Sequence, residues 1–116
     1  MKNKFPVKRL LPKDIKKVLH EVEKKLKEIY GANLKKIILY GSYARGDFTD
    51  GSDIDLIIIL NKMKDPINER ENYFNEIWKL DLKYDTLISI IPFKEEEYKT
   101  KKLPVILNAK HDGVVL

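Results

Sequence analysis

Apolar residues recur along this chain with two different periods, and the switches between them mark out its elements. Over residues 13–30, KDIKKVLHEVEKKLKEIY, Ile15, Val18, Leu19, Val22, Leu26 and Ile29 fall on one helical stripe. Pro12 before the stripe and Gly31 after it stand at the usual start and stop positions. His20 lies beside the stripe and reads as a boundary residue rather than a ligand. Residues 36–40, KIILY, predict a short strand closed by Gly41. Residues 53–60 predict a second strand, apolar on both faces after Asp55 and therefore central in a sheet.

Helical spacing returns over residues 66–80, with a proline in the first turn. Its apolar set, Ile67, Tyr73, Phe74, Ile77 and Trp78, reads as core, with no binding role for Trp78. Residues 84–91, YDTLISII, predict a third strand ended by Pro92. The remaining stretch suggests one or two short helices, with Pro104 near a start and Gly113 as a stop, then a small edge strand over 114–116. The order helix, strand, strand, helix, strand, helix predicts an α+β fold, an α/β sandwich in which helices pack a small mixed β-sheet.

At 116 residues the chain is sized for a single domain, 1–116. With 43% hydrophobic and 35% charged residues it is a globular composition, not a disordered one. The absence of cysteine excludes a disulfide framework and a zinc–thiolate site. Two isolated histidines argue against a histidine-rich metal site, so any metal should be a hard ion held by carboxylates. No signal-peptide core or membrane-length apolar run is visible, and a cytoplasmic location is expected. The net charge of +5 suits an anionic partner, but the lysines are interleaved with glutamates and chiefly solvate exposed faces.

The candidate chemistry lies between the first two strands, in ILYGSYARGDFTDGSDIDLIIIL. Strand alternation points Asp53 and Asp55 the same way and turns Ile54 to the other side. Two carboxylates so placed repel each other unless a cation sits between them, and they can converge on Mg²⁺. Gly41 and Ser42 follow the first strand, where glycine lets backbone amides approach an anion and the serine adds a hydroxyl. Neither a Walker A loop nor a dinucleotide fingerprint is present. Arg45 either neutralises phosphate or braces the loop through Asp47 or Asp50. Gly46 and Gly51 read as turn residues. Asp85, at the start of the third predicted strand, either joins Asp53 and Asp55 as a third acid or is a surface residue. Asp81 competes for that role from the end of the second helix.

Gly41-Ser42, ten intervening residues, then Asp53-Ile54-Asp55 resembles the signature of the DNA polymerase β-like nucleotidyltransferase superfamily. The string GSYARGDFTDGSDIDL is similar to its minimal nucleotidyltransferase (MNT) branch. The resemblance implies that Gly41 and Ser42, with Arg45 nearby, hold the phosphates of a nucleoside triphosphate such as ATP. It implies that Asp53 and Asp55 ligate one or two Mg²⁺ ions, and that Asp85 completes the site and helps to activate an acceptor hydroxyl. An acceptor hydroxyl would then attack the α-phosphorus and expel pyrophosphate.

No basic helix with interleaved aromatics marks a nucleic-acid groove. MNT proteins are often paired with HEPN-domain toxins, and the resemblance implies an antitoxin that transfers AMP to a tyrosine of such a partner. Two alternatives stand beside it: an antitoxin that neutralises its partner by binding alone, and a nucleotidyltransferase for a small molecule of the aminoglycoside type.

Overall fold

The computed structural model describes residues 13–49 and 51–116. Helix α1 (Lys13–Tyr30) coincides with the predicted stripe, and a single 3-10 turn (Gly31–Asn33) leads into β1 (Leu34–Tyr40). Pro12 lies outside the described residues. A one-turn helix, α2 (Ser42–Arg45), precedes β2 (Ile54–Leu60), followed by α3 (Pro66–Tyr84) and β3 (Ile88–Lys94). Helices α4 (Glu95–Thr100) and α5 (Pro104–Asp112) and the short β4 (Val114–Val115) complete the order.

The strands form one mixed sheet in the order β3-β2-β1-β4, with β1 antiparallel to β2 and β4, and β2 parallel to β3. The apolar β2 is thus central, as its two greasy faces require. On one face, Val18, Val22 and Leu26 of α1 and Ile77 and Leu80 of α3 meet Leu56, Ile58 and Leu60 of β2. On the other, Ile57 and Ile59 meet Phe93, Ile106 and Ala109. Helices α1 and α3 run antiparallel, since Glu21 bonds Lys83 and Tyr84, Lys25 lies 3.5 Å from Glu76, and the Tyr30 hydroxyl donates to Glu69 at 2.7 Å. Buried Glu69 also accepts from Asn72 at 2.6 Å, which satisfies its charge.

Two expectations are corrected here. First, α3 continues to Tyr84, and β3 begins only at Ile88 and runs through Pro92. The helix persists because Tyr73, Ile77 and Leu80 keep one buried stripe in register towards Tyr84, and it stops where Asp85 turns left-handed, φ 48°. Pro92 is tolerated because β3 is an edge. Ile54 N donates to Leu87 O at 2.9 Å, so odd-numbered residues of β3 bond β2, and Pro92 lacks only an outward N–H. Second, the apolar set read as core divides in two. Tyr73 and Ile77 are buried, whereas Ile67 (82%), Trp78 (51%) and Phe74 (43%) stay exposed. No described helix is long and apolar enough to cross a membrane.

Candidate active site

The predicted residues gather at the end of the sheet where β1 finishes and β2 begins. Gly41 leaves β1 with φ 77° and ψ −155°, a conformation essentially confined to glycine. A Cβ there would lie 2.4 Å from Asp55 Oδ2, so the missing side chain is what lets the carboxylate sit against the bend. The Gly41 carbonyl accepts from Ala44 and Arg45 at 3.1 and 3.0 Å, which opens α2. Tyr43 and Ala44 are buried and anchor the turn, and Tyr43 stacks on Phe48 with ring centroids 4.6 Å apart. The Ser42 end of this turn brings backbone amides and the serine hydroxyl to the bend against which Asp55 sits. Gly46 closes the turn in the left-handed region, φ 91°, as a turn glycine should.

Asp55 is half-buried on β2, opposite Tyr40 of β1 and Ser89 of β3, while Asp53 stands exposed one residue before the strand. Ile54, between them, is buried among the α1/α3 layer. Burial pushes the Asp55 carboxyl up, the charge of Asp53 pushes it further, and Arg45 opposes the shift. Burial and the charge of Asp55 together push the Tyr40 phenol up to about 12. The pair therefore carries negative charge that its protein neighbours leave incompletely balanced. Two such carboxylates fit a hard divalent cation whose other ligands are phosphate oxygens and water.

Arg45 takes the bracing alternative. Its Nε donates to Asp47 Oδ2 at 3.1 Å, although its charge still reaches Asp55. Asp50, its other possible partner, lies outside the described residues. The turn ahead of the pair is held by Thr49 N donating to Ser52 Oγ at 2.8 Å and Ser52 N donating to Thr49 O at 3.0 Å.

Asp85 does not join the pair. It is exposed at the C-terminal cap of α3, and Ser89, not an acid, stands beside Asp55 in the sheet register. Among the described residues, no three His, Cys, Asp or Glu side chains gather to hold a metal. Asp81 is also committed elsewhere: its Oδ1 accepts from Ile88 N at 2.9 Å and pins the start of β3.

Sequence reasoning missed the groove that opens beside Asp53. It has a volume of about 500 Å³ and runs between α3 and β3, past Trp78, Phe74, Arg70 and Leu87. The signal was present in the spacing. Ile67, Phe74 and Trp78 fall on a second helical stripe, about a third of a turn from Tyr73, Ile77 and Leu80 at 100° per residue.

The profile of the nucleotidyltransferase domain matches residues 19–111. A Methanocaldococcus jannaschii protein carrying the name of a protein adenylyltransferase is 35% identical over 101 residues, covering 87% of this chain and 97% of that one. A second of the same name and organism is 40% identical over 85 residues, covering 73% and 79%. Among solved structures, a chain from a toxin–antitoxin complex with AMP-PNP superposes with a TM-score of 0.61 at 21% identity, covering 83% of this chain and 69% of that one. A chain from the complex of a tri-AMPylated Shewanella oneidensis HEPN toxin with its MNT antitoxin gives 0.57 at 17% identity, covering 86% and 69%. These two show a shared fold. With the glycine bend, the carboxylate pair and a matching profile over most of its length, the chain belongs to the nucleotidyltransferase domain family and is an enzyme of that class.

Proposed function

We propose that the protein transfers AMP from ATP, with Mg²⁺, to a tyrosine hydroxyl of a HEPN-domain partner, and thereby acts as an antitoxin. The observation that carries the reading is the packing of the Asp55 carboxylate against the Gly41 bend, with Asp53 near enough for its charge to raise the Asp55 carboxyl further. That arrangement holds an acidic pair and an anion-binding corner side by side on one rigid strand end. The names of the relatives support the adenylyl group and a protein acceptor, and the solved complexes support ATP and a HEPN partner.

Mg²⁺ held by Asp53 and Asp55 would neutralise the phosphate oxygens and stabilise charge on the departing pyrophosphate. The chain itself does the positioning. The Gly41–Ser42 corner receives the β- and γ-phosphates through backbone amides and the Ser42 hydroxyl. Ile54, locked in the core, keeps the two aspartates from turning away. Arg45, braced by its exposed pairing with Asp47, adds positive charge beside the site. The tyrosine oxygen bonds to the α-phosphorus as the bridge to the β-phosphate breaks. Pyrophosphate leaves with the electron pair, and the hydroxyl proton passes to solvent.

One observation favours a second reading, neutralisation by binding alone: no third carboxylate joins the pair among the described residues. Incubation with Mg²⁺, ATP labelled on its α-phosphate and a HEPN-domain protein separates the two. Transfer of label that disappears in Asp53→Ala and Asp55→Ala is the expected result. Neutralisation that survives both substitutions, with no label moved, sinks the enzymatic reading in favour of the binding one.

A further inference from the structure

We propose that the groove between α3 and β3 is the docking site for the acceptor polypeptide, and that it selects segments with apolar side chains beside the hydroxyl to be modified. The inference rests on the nucleotidyl-transfer reading and adds the direction from which the acceptor enters and the chemistry that recognises it.

Direction follows from strand order. In β3-β2-β1, the Gly41–Ser42 corner lies on the β1 side of the aspartate pair and the groove on the β3 side. An in-line displacement places the attacking oxygen and the leaving pyrophosphate on opposite sides of the α-phosphorus. Phosphates seated at Gly41 and Ser42 therefore leave the β3 side to the acceptor. Asp53 and Ser89, the β3 neighbour of Asp55, line the groove, so it reaches the aspartate pair from that side.

The groove walls decide the class of acceptor. Phe74, Trp78 and Leu87 stand 43%, 51% and 54% exposed, and the stripe extends along α3 to Ile67. The Arg70 guanidinium lies over the Phe74 ring, 4.8 Å from its centroid. Rigid aromatic anchors with a cation at the rim are how protein interfaces hold a partner chain. A polycationic aminoglycoside would find Arg70 there and only two carboxylates, Asp53 and Asp81, one of them already bonded. From Ile67 to Trp78 the stripe spans eleven helical steps, about 16 Å at 1.5 Å per residue, far more than one nucleobase can cover.

Strand addition to the open edge of β3 is disfavoured. Asp81 takes the Ile88 N–H, Tyr73 donates to Ile90 O at 3.4 Å, and Pro92 has no N–H to offer. The occupant accordingly docks through its side chains.

Trp78 is the only tryptophan in the chain, so its fluorescence reports directly on the groove. The probes are two tryptophan-free peptides of equal length, each with one tyrosine. One carries leucines three and four residues from it, and the other carries serines there. The full chain is expected to show solvent-exposed Trp78 emission that shifts to the blue with the leucine peptide. That peptide should bind at least about tenfold more tightly than the serine peptide. Phe74→Ser, and independently Leu87→Ser should the first variant misfold, should remove the preference. The KM for label transfer from ATP should rise with kcat little changed.

Equal binding of the two peptides would overturn the proposal. So would Trp78 emission already blue in the free chain and unmoved by peptide, which would mean that the chain covers its own groove. Quenching of Trp78 by Mg²⁺ and ATP in competition with the peptide would assign the groove to the nucleobase instead. Displacement of the peptide by kanamycin would assign it to a small polycation. Asp55→Asn, at a residue outside the groove lining, separates the two levels of inference. Peptide docking should persist while label transfer stops, and transfer that survives the change removes the catalytic reading without touching the groove.

Discussion

Gly41 is a glycine because Asp55 occupies the space that a side chain would need. The carboxylate oxygen lies 2.4 Å from the position of an added Cβ, and the backbone there, φ 77° with ψ −155°, is one that other residues avoid. Gly41→Ala therefore meets two penalties at once. The backbone term alone costs about 1–3 kcal/mol, read as a lower urea midpoint with an unchanged slope. The steric term moves Asp55, and on the proposed function a displacement of that carboxylate by an ångström slows the reaction by about a hundredfold. AMP transfer by Gly41→Ala should fall by about that much at temperatures where circular dichroism shows the variant folded. A variant with wild-type transfer would mean that the Gly41–Asp55 contact plays no part in the chemistry.

At the scale of the element, α1 and β2 were legible because each has one thing to bury and one way to bury it. A single stripe from Ile15 to Leu26 admits only one orientation of α1, and a strand apolar on both faces can only be central. Helix α3 misled because it carries two apolar stripes, and periodicity alone does not say which one a neighbour covers. That choice is tertiary: α1, antiparallel to α3, takes the Tyr73–Ile77–Leu80 side and leaves Phe74 and Trp78 to solvent. The one-turn α2 escaped notice because four residues are too few to show a period. That Gly41, Ser42, Asp53 and Asp55 come together was legible because their spacing is local to one hairpin. Asp85 was not, since its place depends on where α3 ends.

Asp85 holds the left-handed cap of α3, φ 48° and ψ 54°, where an aspartate is tolerated and a glycine is preferred. Asp85→Gly should accordingly raise stability by about 0.5–1 kcal/mol and leave AMP transfer unchanged. A third catalytic acid would behave in the opposite way, losing activity by orders of magnitude while gaining nothing in stability. Parallel urea melts and label-transfer rates on this one variant decide between the two roles.

For the whole molecule, the site and the fold are coupled through Asp55. Its carboxyl is held above the ordinary range, first by burial and then by the charge of Asp53. A carboxyl raised in the folded state binds its proton more tightly there than in the unfolded chain. Its contribution thus favours folding at low pH and is lost as the pH rises through the folded value. Near neutral pH, ionised Asp55 is a strain on the empty protein, and Asp55→Asn should be slightly more stable than wild type. The gain stays below about 1 kcal/mol because the carboxyl is partly solvated. Mg²⁺ with ATP should reverse that order. A ligand that binds only the folded state, at a hundredfold excess over its Kd, adds about 2.7 kcal/mol. For a chain of this size that is a rise in Tm of upwards of about 10 °C. Wild type should show that rise with Mg²⁺ and a non-hydrolysable ATP analogue together, and much less with either alone. Asp55→Asn should begin higher and move little. If the variant instead starts lower and gains as much as wild type, Asp55 is a structural residue and the charge at the strand end serves the fold rather than the nucleotide.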